Sequence, residues 1–340
     1  MPKVGDVLRT VDYHTAGEPF RIVVEGAPEI TGTSVRDRRE TAAHSAEIDG
    51  VRQLLCHEPR GHADMYGCFL VPPDDAGAHI GVLFWHKDGF STACGHGTIA
   101  LGEWAVRHGL VEADPDGVTE VRIDVPSGRV VARVRQVAGV TEEVTFRNVP
   151  AYVIERGITV ATSRGPVTVD VSYGGAIYAS VRADDLGLRV DPDDLTDLIG
   201  IGREIKAALA GTTAAKHPED PRLDGIYGVI WWEDLGRLDD GPHQRNATVF
   251  ADGEVDRSPC GSGTSSRLAL LVDDGTLRDG EVLTHDSIIG TTFRGRVVDN
   301  VVDAGRAAVV TEISGMAYPT GEHAFVLDDR DPVGLGFVLR

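Results

Sequence analysis

The chain has 340 residues, 41% hydrophobic and 25% charged, and 33 basic against 53 acidic residues leave a formal net charge of −20. That length suits two domains with substantial cores, and so acidic a composition argues against nucleic acid and against an anionic membrane as partners. No apolar run approaches the ~20 residues of a membrane span, and residues 1–6 lack the apolar centre of a secretory leader. The expectation is a cytoplasmic protein whose four cysteines, Cys56, Cys68, Cys94 and Cys260, stay reduced.

Short strands read at residues 8–11, 21–25, 67–72 and 79–85, each bounded by Gly, Pro or Asp. Between the first two lies His14-Thr15-Ala16-Gly17-Glu18-Pro19, read as a buried polar turn in preference to a catalytic His–Glu pair. Cys56-His57-Glu58-Pro59-Arg60-Gly61-His62 has metal-ligating residue types, but no second ligand pair follows at zinc spacing, so no metal is expected. The first clear helix follows residue 94 and ends near His108-Gly109. Residues 118–125 and 129–137 form a hairpin about Pro126-Ser127-Gly128, and 144–149 continues as strand.

A second cycle then begins. Strands read at 167–173 and 176–181, followed by an amphipathic helix within 192–210 that carries Leu195, Leu198, Ile199 and Ile205. A polar loop over 211–223 precedes strands at 227–232 and 246–250. A second helix follows residue 260 and ends near Asp274-Gly275, and strands at 288–293 and 307–313 come after it. We divide the chain near Pro150 into a first α/β domain, 1–150, carrying Cys94, and a second, 151–320, carrying Cys260. The tail from about 321 to 340 is expected to return to the first domain.

Cys94-Gly95-His96-Gly97-Thr98 and Cys260-Gly261-Ser262-Gly263-Thr264 repeat one pattern, C-G-x-G-T, each ahead of an apolar helix. A helix N-terminus carries about half a positive charge and unpaired N–H groups, which favours thiolate over thiol. The glycines let backbone N–H groups approach a ligand closely. Two such thiols can exchange the hydrogen of a carbon acid: one removes the proton, the other returns one from the opposite face, and the configuration inverts. This chemistry needs neither metal nor organic cofactor. A pyridoxal phosphate enzyme would need a Schiff-base lysine, and none of the four lysines, Lys3, Lys87, Lys206 and Lys216, has a convincing context. Cys56 and Cys68 lack the glycine setting and read as core. His96 suits a hydrogen bond to a substrate amine or a positive potential beside Cys94, and Asp256 suits a substrate ammonium.

At these residues the chain resembles the proline racemase family. The resemblance rests on the two cysteine motifs, the second extended to Asp256-Arg257-Ser258-Pro259. Supporting it are residues 14–19, Glu58-Pro59-Arg60-Gly61-His62, Met65-Tyr66-Gly67 and Asn148-Val149-Pro150-Ala151-Tyr152. It implies an α/β (α+β) fold of two similar domains of the diaminopimelate-epimerase type, with the active site in the cleft between them. Cys94 and Cys260 would be the acid–base pair, and His96 and Asp256 would hold the ring nitrogen of proline or a hydroxyproline. The N–H groups of Gly95, His96, Gly97, Gly261 and Ser262 would bind the carboxylate. The resemblance also implies a homodimer that uses no metal or pyridoxal phosphate.

Dehydratases of the family keep the first cysteine and typically replace the second, so Cys260 favours a racemase or 2-epimerase. Met65-Tyr66-Gly67 and Asp224-Gly225-Ile226-Tyr227-Gly228 resemble the branch that holds proline racemases and 3-hydroxyproline dehydratases. Several 4-hydroxyproline epimerases carry a histidine where this chain has Gly225. A trans-3-hydroxy-L-proline dehydratase is therefore the alternative. A non-catalytic amino-acid-binding or redox-sensing protein, whose thiols close to a disulfide, is a further one.

Overall fold

Two helices of this chain are buried on every side, and the strands are organised around them. The computed structural model describes residues 7–339; residues 1–6, which hold Lys3 and the segment read as lacking a leader, lie outside the described residues. The chain divides into two compact units, Met1–Val144 with Met316–Arg340, and Thr145–Gly315.

The first unit opens with β1 (Val7–Thr15) and β2 (Glu18–Glu25), then α1 (Val35–Ala43), α2 (Ala46–Cys56), β3 (Tyr66–Val71), β4 (Ile80–His86) and β5 (Gly89–Phe90). It continues with α3 (Gly95–Arg107), β6 (Val118–Val125), β7 (Gly128–Val137) and β8 (Val140–Arg147), whose last residues belong to the second unit. That unit contains β9 (Tyr152–Thr162), β10 (Gly165–Tyr173), β11 (Ile177–Arg182), α4 (Leu195–Leu209), β12 (Ile226–Leu238) and β13 (Gly241–Phe250). It is completed by β14 (Glu254–Asp256), α5 (Gly261–Asp273), β15 (Val282–Ser287), β16 (Thr292–Asp303) and β17 (Arg306–Gly315). The chain then returns to the first unit as β18 (Ala317–Val326), antiparallel to β1 with Val326 opposite Val7 and Ala317 opposite Thr15.

Every residue of α3 from Gly95 to Val106 is buried, as is every residue of α5 from Gly261 to Leu271. Strands β1, β2, β6, β7 and β18 contact α3, while β9, β10, β11, β16 and β17 contact α5. Each unit is thus a set of mostly antiparallel strands gathered around one helix. Burying a leucine or isoleucine such as Ile99, Leu101, Leu268 or Leu270 stabilises by about 1.5–3 kcal/mol each. Close packing sets the residue choice: a Cβ on Gly102 would lie 2.6 Å from the Cβ of Ala132 on β7.

The hairpin over 118–137 and the helices after Cys94 and Cys260 form as the pattern indicates. Three readings change. Helices α1 and α2 were not expected; their starts are capped by Ser34 and Ser45, whose side chains accept from the N–H of Asp37 and Ile48. Of the strand read at 288–293, residues 288–291 are instead a turn joining β15 to β16, held by the Ser287 N–H on the Thr291 carbonyl at 2.7 Å, with Gly290 at φ 79°, and only Thr292 and Phe293 are strand. The loop at 211–223 contains two short 3₁₀ turns, Thr213–Ala215 and Pro221–Leu223.

Candidate active site

In the first unit, Cys94 is the N-cap of α3, with extended backbone at φ −155°. Its Sγ accepts the N–H of Gly97 at 3.2 Å, the place usually taken by a serine or aspartate oxygen. A Cβ on Gly97 would stand 2.8 Å from that sulfur and 2.4 Å from the Phe20 ring, so glycine keeps the space the thiol fills. Thr98 closes the turn: its N–H and its hydroxyl both donate to the Cys94 carbonyl, at 3.1 and 2.7 Å. The C-G-x-G-T spelling is therefore a sulfur cap, a space for the sulfur, and a latch.

His96 stands within 3.5 Å of the Cys94 sulfur. Its ring meets Tyr66 edge-on at 4.9 Å and Phe20 at 5.8 Å. Burial lowers its pKa to about 3, so the imidazole is neutral at pH 7. It serves as a hydrogen-bonding group and does not supply the positive potential that its position in sequence allowed. The 14–19 segment is the β1–β2 turn, with Ala16 at φ 51° and Gly17 at φ 97°, and it braces this helix start: the buried Thr15 hydroxyl donates to the His96 carbonyl at 2.9 Å.

Cys56 and Cys68 lie in the core, and the Cys56 thiol donates to the Met65 carbonyl. Arg60 ties down the C-terminal tail by donating to the carbonyls of Gly334 and Val326 at 2.8 and 3.0 Å. The Glu58–His62 motif thus has a structural task within its own unit.

In the second unit, Cys260 caps α5 with φ 60° and ψ 102°. Such a backbone costs a non-glycine residue about 1–3 kcal/mol and persists only when its surroundings hold it. Hydrogen bonds on both sides do so. The Cys260 N–H donates to Ser258 Oγ at 3.1 Å, and Ser258 donates from its hydroxyl and its N–H to Asp256 Oδ1 at 2.7 and 2.8 Å. The Pro259 carbonyl accepts from Thr264 Oγ1 and Asn246 Nδ2, both at 3.0 Å. Thr264 has one hydroxyl proton, and with that proton on Pro259 the His285 Nδ1, 2.8 Å away, is the donor to Thr264.

Unlike Cys94, Cys260 makes no side-chain hydrogen bond to the helix start, and the Thr248 hydroxyl donates to Asn246 Oδ1 at 3.5 Å. A Cβ on Gly263 would stand 2.9 Å from the sulfur. The thiol packs with Ala176, Tyr178, Ile230 and Tyr227. Tyr178 Oη lies 3.8 Å from the sulfur and 2.7 Å from Ser262 Oγ. Burial first, and the Asp256 charge second, push this thiol far above its ordinary value. Here desolvation outweighs the helix N-terminus, contrary to the expectation of a lowered thiol pKa. Burial also raises Asp256, to about 6.

Tyr178 was missed in the sequence, where it has no local signal. Thr15 and Ser258 lie inside segments that the sequence singled out, the 14–19 turn and the run before Cys260, but their bracing contacts were not foreseen. Gly225 has φ 104°, a conformation that disfavours any side chain where the resemblance puts histidine in other members.

The profile of the family described as "Proline racemase" matches residues 10–338. A protein of Bacillus cereus named trans-3-hydroxy-L-proline dehydratase is 41% identical over 99% of this chain and 99% of its own length. A 3-hydroxyproline 2-epimerase of Burkholderia multivorans is 42% identical over 99% of this chain and 100% of its own. The solved hydroxyproline epimerase of Agrobacterium vitis, with bound trans-4-hydroxy-L-proline, superposes with a TM-score of 0.91 at 30% identity, covering 98% of this chain and 96% of that one.

Proposed function

The chain belongs to the proline racemase family, and from that premise we propose that it inverts the α-carbon of proline or a hydroxyproline with Cys94 and Cys260 as the acid–base pair. The observation that carries this reading is the repeated cysteine at a helix start. In both units a cysteine is the N-cap residue of a buried helix, and a Cβ on the glycine three residues on would stand 2.8 or 2.9 Å from its sulfur.

The reaction needs one thiolate and one thiol. The thiolate takes the α-proton, so an S–H bond forms and the C–H pair moves toward the carboxylate. The thiol gives its proton to the opposite face, a new C–H bond forms, and the negative charge ends on the second sulfur. Cys260, held as a thiol, is the donor in this first passage and Cys94 the base. The α-hydrogen of an amino acid is a very weak acid, so the developing charge has to be met by fixed dipoles. The first-turn N–H groups of Gly95, His96, Gly97, Gly261 and Ser262 supply them at the substrate carboxylate. Gly97 shares its N–H with the Cys94 sulfur. The neutral imidazole of His96 accepts from the ring nitrogen, and Asp256 pairs with its positive charge.

A second reading is favoured by the 41% identity to a protein named as a dehydratase: one base removes the α-proton of trans-3-hydroxy-L-proline and the β-hydroxyl leaves as water. The cellular setting we propose is the cytosol, with the protein a homodimer. None of the four cysteines is in a disulfide, and among the described residues no helix is long and apolar enough to cross a membrane.

Proton NMR in D2O with L-proline, trans-4-hydroxy-L-proline and trans-3-hydroxy-L-proline, followed by chiral analysis, tests both readings. The expected result is loss of the α-proton signal with growth of the inverted isomer. Pyrroline carboxylate from the 3-hydroxy compound alone would establish the dehydratase instead. Planar pyrrole-2-carboxylate should inhibit, because it mimics a trigonal α-carbon.

A further inference from the structure

We propose that Tyr178 is a third catalytic residue, whose hydroxyl turns to donate to the Cys260 sulfur once that sulfur has given up its proton. The inference rests on the reading of Cys260 as one of the two acid–base thiols.

The geometry supplies the parts within one unit. The Cys260 thiol donates toward Tyr178 Oη at 3.8 Å, and Oη and Ser262 Oγ are 2.7 Å apart. Tyr178 is fully buried, among Ala176, Ile230 and Tyr227, a setting that a phenylalanine would fill equally well. A buried hydroxyl is costly unless its bonds are made, and this one makes them to the sulfur and to the helix start that binds the carboxylate.

The electrostatics give it work. The charged and titratable groups about the sulfur are Asp256 on β14, Tyr178 on β11 and Tyr227 on β12, with Arg257 acting on Asp256. Asp256 opposes a negative sulfur. When the thiol proton passes to the α-carbon, the sulfur becomes an acceptor only. The Tyr178 O–H then swings from Ser262 to the thiolate, and the Ser262 hydroxyl turns to donate to Oη. No proton leaves the tyrosine. Each link of the relay strengthens the next, and a charged sulfur shortens the contact.

The test is Tyr178→Phe in the full-length protein, assayed in both directions on the substrate identified above. The expected result is a fall of about ten- to a hundredfold in kcat/KM in both directions, the size of one lost hydrogen bond to a charged group. KM and the binding of pyrrole-2-carboxylate should stay within about twofold, because the substrate still meets the same N–H groups. The distinguishing readout is the α-deuterium isotope effect. The transition state at Cys260 alone rises, so the effect grows for the enantiomer that Cys260 deprotonates and shrinks for its mirror image. A purely structural role does not tilt the two in opposite senses.

Unchanged kcat, or isotope effects that move alike on both enantiomers, would overturn the proposal. Ser262→Ala, which removes the second link, should give the same tilt with a smaller amplitude and serves if the phenylalanine variant does not fold. Full racemisation by Cys260→Ser, or pyrroline carboxylate as the only product, would remove the two-thiol reading itself. Two-thiol racemisation untouched by Tyr178→Phe would remove the role of Tyr178 alone.

Discussion

The helix starts at Cys94 and Cys260 share a five-residue spelling and a glycine that leaves room for the sulfur, yet they put the thiol in opposite surroundings. Cys94 has relaxed, extended backbone and faces a neutral imidazole held between aromatic rings. Cys260 has a left-handed backbone, stapled by Ser258, Thr264 and Asn246, and faces a carboxylate. One motif thus places its two thiols in different company, and in the second unit burial and the Asp256 charge push the Cys260 thiol far above its ordinary value.

The largest effect should come from the sulfurs themselves. Cys94→Ser and Cys260→Ser are each expected to lower racemisation by at least ~1,000-fold, because an alcohol titrates far from neutral pH. Chiral analysis that found either variant near wild-type activity would break the pairing of the two sites.

Next in size, alanine at the third motif position should separate the sites by their packing. At Gly97 the new Cβ meets the buried Phe20 ring at 2.4 Å as well as the sulfur; at Gly263 it meets the sulfur at 2.9 Å and Ile230 at 3.2 Å. Gly97→Ala should therefore lose about 1–3 kcal/mol of stability through overpacking, and Gly263→Ala less. Denaturant titration of the two variants measures the difference, and the reverse order would show that the first site is the more pliant.

The smallest effect concerns Asp256. Its carboxyl titrates at about 6 in the folded chain against an ordinary value of 3.8. Folding is therefore favoured most below the ordinary value, and that advantage is lost as the pH rises from about 4 through 6. Asp256→Asn should lack this loss, so its stability relative to wild type improves across that interval. Its kcat/KM should also lose the limb near pH 6 that reflects ionisation of Asp256. Thermal melts and rate profiles between pH 4 and 8 test both, and a limb retained in the variant would assign the titration to another group.

The candidate site was legible because it is written locally: a cysteine at the helix start, a glycine that leaves room for its sulfur and a threonine whose N–H closes the turn lie within five residues, twice. The starts of α3 and α5 were legible for the same reason, whereas their burial on every face was not, since α5 buries Ser265, Ser266 and Arg267 as well as its leucines. Helix α1 was not legible, because Val35-Arg36-Asp37-Arg38-Arg39-Glu40-Thr41-Ala42-Ala43 buries only Val35 and Ala42 and so has no repeating stripe. The turn at 288–291 was obscured by Ile288 and Ile289, two residues of strand preference overruled by a serine–threonine bridge and a left-handed glycine. Tyr178 and Thr15 reach the site across 82–84 and 81 residues of chain. Period-two alternation places Tyr178 on one face of β11 without telling which face meets α5.

The pairing of β18 with β1 also bears on how the protein is made. Thr145–Gly315 is an uninterrupted stretch, so every strand of that unit is at hand once Gly315 has been made. The first unit has to wait. Until Ala317–Val326 follows, β1 presents an open edge and α3 lacks one of the strands that contact it. The half of the molecule begun first is therefore the half completed last.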